Sequence, residues 1–319
     1  MKVLFVSSGN LKNFDVAPFI KVQGDSLNSR NVEVEYFKVS GKGLKGYLSN
    51  IGPLKQLLKN SNFDLIHAHF SLSAWVAVLS FPGIPIVLSL MGTDAYGRID
   101  KFKKNRLYLN YYTLLTLLIQ PFVKKIISKS PNIEKFVWQK RKSIVLPNGV
   151  DIEKFYSVEN NFRKELGLRE DKKYALFLGN RKDPRKNYQL LMKAREDLAR
   201  TNIEIIAPYP IPHHQVFEYL NSVDVLVMCS YEEGSPNVVK EGMACNCKGV
   251  FTDVGDVSYL LEDTEGYAIT GFDPIELADK IRKVIAMKKC NGRERLIELK
   301  LDLPSVAEKL KKIYLSALP

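Results

Sequence analysis

Short β-branched runs alternate with helical patterns along the whole chain. In the first half the runs fall at 3–7, 32–38, 64–68, 85–90, 125–128 and 143–146. In the second half they fall at 174–178, 203–207, 223–228, 249–252 and 267–269. Helical stretches fill most of the gaps, so the pattern predicts strand–helix–strand units and parallel sheets covered on both faces. Two such sets in one chain predict an α/β protein with two Rossmann-like domains. Ligands in such sheets bind outside the carboxyl ends of the strands, and two domains facing each other would form one deep cleft. Between the sets, Leu146-Pro147-Asn148-Gly149-Val150-Asp151 ends a strand with turn chemistry, since Asn-Gly accommodates positive φ. Near the end, Val306, Leu310, Ile313 and Tyr314 recur at helical spacing over 306–315, after the lead-in Leu303-Pro304-Ser305.

Composition adds little to this picture, but charge changes it. The 319 residues are 45% hydrophobic and 26% charged, as in a globular protein with ample core. Residues 1–150 carry 21 basic and 8 acidic side chains, a net of +13, and residues 151–319 carry 26 and 27, a net of −1. A basic half beside a neutral half suggests that one half meets an anionic partner. Lys101-Phe102-Lys103-Lys104-Asn105-Arg106 and Lys124-Lys125 bracket the aromatic segment 107–123. Basic flanks around such a stretch suit an anchor on an anionic membrane surface, and equally a half-buried core helix with solvated ends. That segment is too polar and interrupted to span a bilayer, and Met1-Lys2 runs straight into a strand rather than a secretory signal. The expected location is cytoplasmic, or peripheral on the inner face of a membrane. No zinc finger, RNP-like or helix-turn-helix pattern supports nucleic acid as the partner. Cys229, Cys245, Cys247 and Cys290 are expected as reduced thiols. Cys245-x-Cys247 lacks the second pair or His cluster of a metal site, so small buried residues are the expected role.

The chemistry concentrates in 230–244, Ser-Tyr-Glu-Glu-Gly-Ser-Pro-Asn-Val-Val-Lys-Glu-Gly-Met-Ala. The strand 223–228 precedes it. Ser235 suits an N-cap, with Pro236 at the first helical position. A helix starting there aims free backbone N–H groups out of the end of a sheet, where phosphate is attracted. Glu233 lies in the loop before the helix. Glu241 lies nearly two turns into it, on the face shared with Asn237 and Val238. A nucleotide-sugar fits this spacing, with diphosphate on the helix end, sugar near Glu233 and ribose hydroxyls near Glu241. After the strand at 174–178, Arg181, Lys182, Arg185 and Lys186 crowd one strand-to-helix loop, where fixed cations would stabilise a leaving diphosphate. Neither G-x-G-x-x-G nor a P-loop is present, which argues against a nicotinamide site and a P-loop ATPase.

These stretches resemble the retaining GT-B glycosyltransferases, the large family-4-like group. Their signature is a glutamate, seven residues, a second glutamate, then Ala-Met-Ala-Cys. Here Glu241-Gly242-Met243-Ala244-Cys245 differs only by Gly242 for Ala. The family continues Gly-x-Pro-Val-Val, where this chain has Asn246-Cys247-Lys248-Gly249-Val250. The segment from Pro147 to Phe155 matches the family's Pro-Asn-Gly-Val-Asp-x-x-x-Phe linker at every fixed position. Gly179-Asn180-Arg181 and Lys186-Asn187 resemble its Gly-Arg and Lys-Gly pair, with Asn180 inserted, an offset that could favour Arg185 over Arg181. Asp64-Leu65-Ile66-His67-Ala68-His69 resembles its Asp-Val-Val-His-Ala-His strand end. Ser89 to Asp94 matches the segment that often reads His-Gly-x-Asp, with Met91 at the His position.

The resemblance implies a GT-B fold. Residues 1–147 would be the acceptor-binding domain, 148–302 the donor-binding domain, and 303–319 a helix crossing back to the first. It implies sugar transfer from a nucleotide-diphosphate sugar to a hydroxyl on a saccharide or lipid-linked acceptor, with retention of configuration and no required cofactor or metal. Glu233 would orient the sugar and support oxocarbenium character, Lys186 and Arg181 would hold the diphosphate, and Glu241 would bind ribose. Ser235, Asn237 and Val238 would flank the donor, as would Gly9 in the small-residue loop Ser8-Gly9-Asn10. His69 and Asp94 would stand on the acceptor side, shaped by loops such as 41–46 and 96–106. With Met91 in place of histidine, no His general base is expected. The +13 half suits bacterial surface polysaccharide or glycolipid assembly. Another GT-B enzyme, such as a nucleotide-sugar epimerase, and a noncatalytic module supporting a partner transferase are the alternatives. His213 and His214 follow a Pro-rich loop at the start of a helix expected over 215–220, with no partners evident for a metal site.

Overall fold

A computed structural model describes residues 1–11, 14–41, 43–96, 111–159 and 162–319. The basic run 101–106 and most of the loop 96–106 therefore lie outside the described residues. The chain divides into two compact units, Met1–Gly149 with Leu303–Pro319, and Val150–Asp302.

Among the described residues the first unit holds six strands: β1 (Lys2–Ser8), β2 (Glu33–Val39), β3 (Leu65–His69), β4 (Ile86–Leu90), β5 (Lys125–Ser128) and β6 (Ser143–Val145). They form one parallel sheet in the order β2-β1-β3-β4-β5-β6. All five residues of β3 and all five of β4 are buried, as expected of central strands with helices on both faces. Leu4, Val6, Ile66, Ala68, Leu88 and Ile126 form the centre of the core, which the helix Ser71–Leu79 closes with Ala74, Val76 and Ala77. The chain's last helix, Leu303–Leu315, starts three residues before the expected 306 and packs against the helix Pro18–Asn28. Buried Tyr314 places its hydroxyl 2.6 Å from His67 Nδ1, and His67 Nε2 is 2.7 Å from Ser89 Oγ.

The second unit holds β7 (Lys173–Leu176), β8 (Ile203–Ile206), β9 (Val225–Met228), β10 (Gly249–Thr252) and β11 (Tyr267–Thr270). The sheet is again parallel, in the order β11-β10-β9-β7-β8. The eleven strands coincide with the eleven expected ones to within two residues at either end. β9 starts at Val225 rather than 223 because Val223 N–H still donates to Tyr219 O, closing the preceding helix. Asp224 turns its carboxylate to Arg163 (2.9 Å), Lys173 (3.0 Å) and the Tyr174 N–H (2.9 Å). In this sheet the order reverses between β7 and β9: the chain leaves β7 towards β8 on one side and returns to β9 on the other. A crevice opens at the carboxyl ends of such a pair. No helix among the described residues is long and apolar enough to cross a membrane.

Candidate active site

The loops leaving β7 and β9 emerge side by side because those strands are neighbours. The Tyr231 N–H donates to Arg185 O at 2.8 Å and ties them together. Lys186, in the 3-10 turn Pro184–Lys186, places Nζ 2.5 Å from Glu233 Oε1. Ser230 Oγ donates to the same oxygen at 2.8 Å. The two side chains keep 29% and 18% of their exposure, so the ion pair faces solvent on one side. Sheet order thus joins a cation and a carboxylate that are 47 residues apart in sequence. Arg181 is exposed in the same loop. Arg185 instead pairs with Asp183 at 2.7 Å. Burial pushes the Glu232 carboxyl up to about 7, the Arg185 charge working against this and the Glu233 charge adding to it.

Ser235 does not cap the helix, contrary to the expectation from Ser-Pro. The helix is Asn237–Ala244, with Pro236 at the cap position and no side chain capping it. The Ser235 hydroxyl donates to Asp256 Oδ2 at 2.7 Å and accepts from Lys240 Nζ at 2.8 Å. Charged partners outcompete a neutral backbone N–H for a hydroxyl. The first-turn N–H groups of the helix therefore lack a side-chain acceptor. Lys240 is fully buried, and burial pushes its amine down to about 8 against the pull of Asp256 and Glu241. Burial likewise pushes the Asp256 carboxyl up, while Lys240 and Ser235 hold it back. Gly255 lets this loop close: its φ is +66°, and a Cβ there would sit 2.6 Å from Gly234 O.

Glu241 projects from the helix flank one turn beyond Asn237 and Val238. Its Oε1 lies 3.1 Å from His213 Nε2, and His213 Nδ1 lies 3.0 Å from Lys154 Nζ. An ammonium can only donate, so Nδ1 accepts and Nε2–H donates to Glu241. His213 opens the helix His213–Leu220, two residues before the expected start, and its ring meets buried Phe155 edge-on at 5.5 Å. Arg293 Nη1 donates to Ile152 O (3.0 Å), Phe155 O (2.8 Å) and Ala244 O (3.3 Å), fastening the linker motif to the end of the glutamate helix. Beyond that helix Asn246, at the position where the family's pattern has Gly, adopts φ +50°, a left-handed turn. Its Oδ1 accepts from Arg293 N–H at 2.9 Å.

In the first unit the expected residues turn inward. Gly9 uses its N–H on Val39 O at 2.9 Å, so that group is not free for a phosphate. His69 is 1% exposed, wedged between Phe5 (4.7 Å) and His67 (4.2 Å), because β3 is a central strand whose end is covered. Burial holds its imidazole well below the usual range, with the Lys129 charge adding to this. Asp94 is fully buried. Its Oδ1 accepts from the Met91 (2.9 Å) and Gly92 (3.0 Å) N–H groups, and its Oδ2 from the Ser71 N–H (3.2 Å). It closes the β4 loop rather than facing an acceptor. Burial pushes its carboxyl up to about 6, against those backbone hydrogen bonds. The four cysteines are free thiols, three of them buried. No group of three or more His, Cys, Asp or Glu able to hold a metal gathers among the described residues.

Residues 16–154 match the family described as Glycosyltransferase Family 4, and residues 209–287 match Glycosyl transferases group 1. The second match contains Glu233 and Glu241, and the first contains most of the linker motif. The chain belongs to the family-4-like glycosyltransferases of GT-B type. A putative teichuronic acid biosynthesis glycosyltransferase, TuaC of Bacillus subtilis, is 30% identical over 226 residues, 62% of this chain and 55% of that protein. The match thus spans about half the length of that relative. In fold, the chain is similar to sucrose-phosphate synthase from Thermosynechococcus elongatus, with a TM-score of 0.78 and 16% identity over 98% of both chains. It is also similar to HepE of Anabaena in complex with UDP-glucose, with a TM-score of 0.74 and 15% identity over 99% of this chain and all of that one.

The Lys154–His213 arm behind Glu241, the Lys240–Asp256 pair beneath Ser235 and the raised carboxyl of Glu232 leave no pattern in the sequence. Each rests on a tertiary neighbour. Only His213, a polar ring beside a Pro-rich loop, carried any local signal.

Proposed function

We propose that the chain is a glycosyltransferase that moves a sugar from a nucleotide-diphosphate sugar to a hydroxyl acceptor with retention of configuration. Its role would be in surface polysaccharide or glycolipid assembly. One observation carries this reading: Lys186 and Glu233 meet at the carboxyl-end switch of β7 and β9, beside an uncapped helix start that leads to Glu241. An ammonium has three N–H donors. Lys186 gives one to Glu233 and keeps two for phosphate oxygens. Charge grows on the diphosphate as the glycosidic bond breaks, so a fixed cation there lowers the barrier rather than merely tightening binding. Glu233 is held by Lys186 and Ser230, which makes it a poor nucleophile and favours an orienting role over a glycosyl-enzyme route. Glu241, steadied by His213, would take the ribose hydroxyls. Arg181, exposed in the Lys186 loop, would add charge to the diphosphate. Ser235, Asn237 and Val238 border the helix start. In this reading the donor needs no resident metal. The matched regions and the UDP-glucose held by a protein of the same fold support the donor class, and the TuaC match supports a cell-surface product.

The test is calorimetric titration with UDP-, GDP- and ADP-sugars, with and without Mg²⁺, followed by transfer assays and anomeric analysis of the product by NMR. One nucleotide class should bind at micromolar levels. Glu241→Ala should mainly weaken binding, and Lys186→Ala should mainly lower kcat. Wild-type turnover by Lys186→Ala would sink the phosphate role. Tight donor binding with no transfer to any acceptor would favour the noncatalytic module instead.

A further inference from the structure

The helix Tyr111–Ile119 and the turn Gln120–Phe122 are built inside out. Their polar side chains are the buried ones. Thr113 Oγ1 donates to Ala95 O at 3.0 Å, and Thr116 Oγ1 to Asp94 O at 2.7 Å. Gln120 donates to Phe136 O at 3.0 Å and accepts from Trp138 N–H at 2.9 Å. Apart from Ile119, which is buried in the core, large apolar side chains line the outer face: Tyr111 (53% exposed), Leu114 (47%), Leu118 (51%) and Phe122 (59%), at helical spacing. Trp138 joins them from the next segment, 56% exposed, its Nε1–H donating to Leu117 O at 2.9 Å. A helix meant for water has the opposite polarity. Scattered exposed apolar residues need no explanation, whereas a contiguous face of five marks an interaction surface.

Charge says what covers it. Residues 111–142 hold seven basic side chains and one acidic, Glu134. Lys124, Lys135, Lys140 and Arg141 are exposed. Lys142 donates to Gln120 O (3.2 Å) and Pro121 O (3.1 Å), which brings the basic turn Lys140–Lys142 against the end of the apolar face. A second copy of this chain would bring the same positive rim against itself. Aromatic and leucine side chains ringed by Lys and Arg match an anionic bilayer, whose headgroups attract the rim and whose acyl boundary accepts the rings. We propose that this face is a docking surface for anionic lipid membrane, with Tyr111, Leu114, Leu118, Phe122 and Trp138 entering the interface. The surface belongs to the first unit alone and does not depend on the identity of the sugar donor.

The chain has two tryptophans, Trp75 and Trp138, so Trp75→Phe leaves Trp138 as the only indole. With phosphatidylglycerol-containing vesicles, Trp138 emission should shift to the blue and be quenched by brominated acyl chains. Phosphatidylcholine vesicles should leave it unchanged. Wild-type chain should co-sediment with the anionic vesicles. Leu114→Ser/Leu118→Ser should weaken that binding by roughly tenfold or more, with an unchanged circular dichroism spectrum. Lys124→Glu/Arg141→Glu should weaken it by roughly tenfold at low salt, and the difference should shrink at high salt. Three results would each overturn the proposal: an unmoved Trp138 spectrum, equal binding to neutral vesicles, or self-association in sedimentation equilibrium that Leu114→Ser/Leu118→Ser abolishes.

Discussion

Lys240→Met should destabilise the protein strongly, and adding Asp256→Leu should restore it. Lys240 is 0% exposed and Asp256 2%, so neither charge reaches bulk water. The amine is pushed down to about 8 from 10.5, which means that burial outweighs the attraction of Asp256 and Glu241. The intact pair therefore adds little net stability to the fold. Methionine fills the space of the lysine stem but leaves the buried Asp256 carboxylate without the Lys240 charge. An orphaned buried charge costs about 3–5 kcal/mol. Protonation limits the damage: neutralising a carboxyl of ordinary pKa 3.8 at pH 7 costs about 4 kcal/mol and falls by about 1.4 kcal/mol per pH unit. The sign follows from linkage. Asp256 in the variant binds its proton more tightly when folded than when unfolded, so stability is lost as pH rises. Urea denaturation of the single variant should therefore show a deficit of about 3–4 kcal/mol at pH 7 that shrinks by about 2–3 kcal/mol at pH 5. The double variant should come within about 1 kcal/mol of wild type or exceed it, as apolar replacements of buried ion pairs do. A deficit independent of pH, or losses that add in the double variant, would refute the reasoning.

Asp94→Ala should cost about 3 kcal/mol by thermal or urea denaturation, because it strands the N–H groups of Met91, Gly92 and Ser71. With its carboxyl raised to about 6, wild-type Asp94 contributes a loss of stability as pH climbs from about 4 to 6, and Asp94→Asn should flatten that slope. Tyr314→Phe should cost about 1–2 kcal/mol, since it leaves His67 Nδ1 buried without its hydroxyl. Glu232→Gln should stabilise the protein above pH 7 by about 1 kcal/mol after allowance for solvent screening, and not at pH 4, because the raised carboxyl makes ionisation unfavourable as pH rises through about 7.

The strands were legible because a buried parallel strand is a short apolar run, and that signal survives without knowledge of its neighbours. The order β11-β10-β9-β7-β8 was not, since nothing local in 173–176 or 225–228 says that these runs pair. For the same reason Glu233 and Lys186 each stood out within its own loop, while their 2.5 Å contact was invisible. Ser235 was misread because Ser-Pro is a sound cap signal when the hydroxyl has no better offer. Here Asp256 and Lys240, brought in by the loop after β10 and by the helix itself, make the better offer. His69 and Asp94 were placed at the ends of the right strands, but whether a strand end is open or covered depends on what packs over it.

The helix at 111–119 shows the same limit with the opposite sign. Periodicity separates two faces of a helix and assigns the apolar one to the interior by default. That default fails when the interior supplies the polar partners. The carbonyls of Asp94 and Ala95 and the hydroxyl of Ser71 are already committed to this side of the sheet, and they are met by Thr113 and Thr116. Once those threonines are claimed, Leu114 and Leu118 have only the outside left. Asp94 therefore links two levels of the structure. The residue whose carboxylate closes the β4 loop also presents the backbone oxygen that turns the neighbouring helix over. Loss of Thr116 should consequently loosen the orientation of the whole apolar face, although Thr116 itself never reaches the surface.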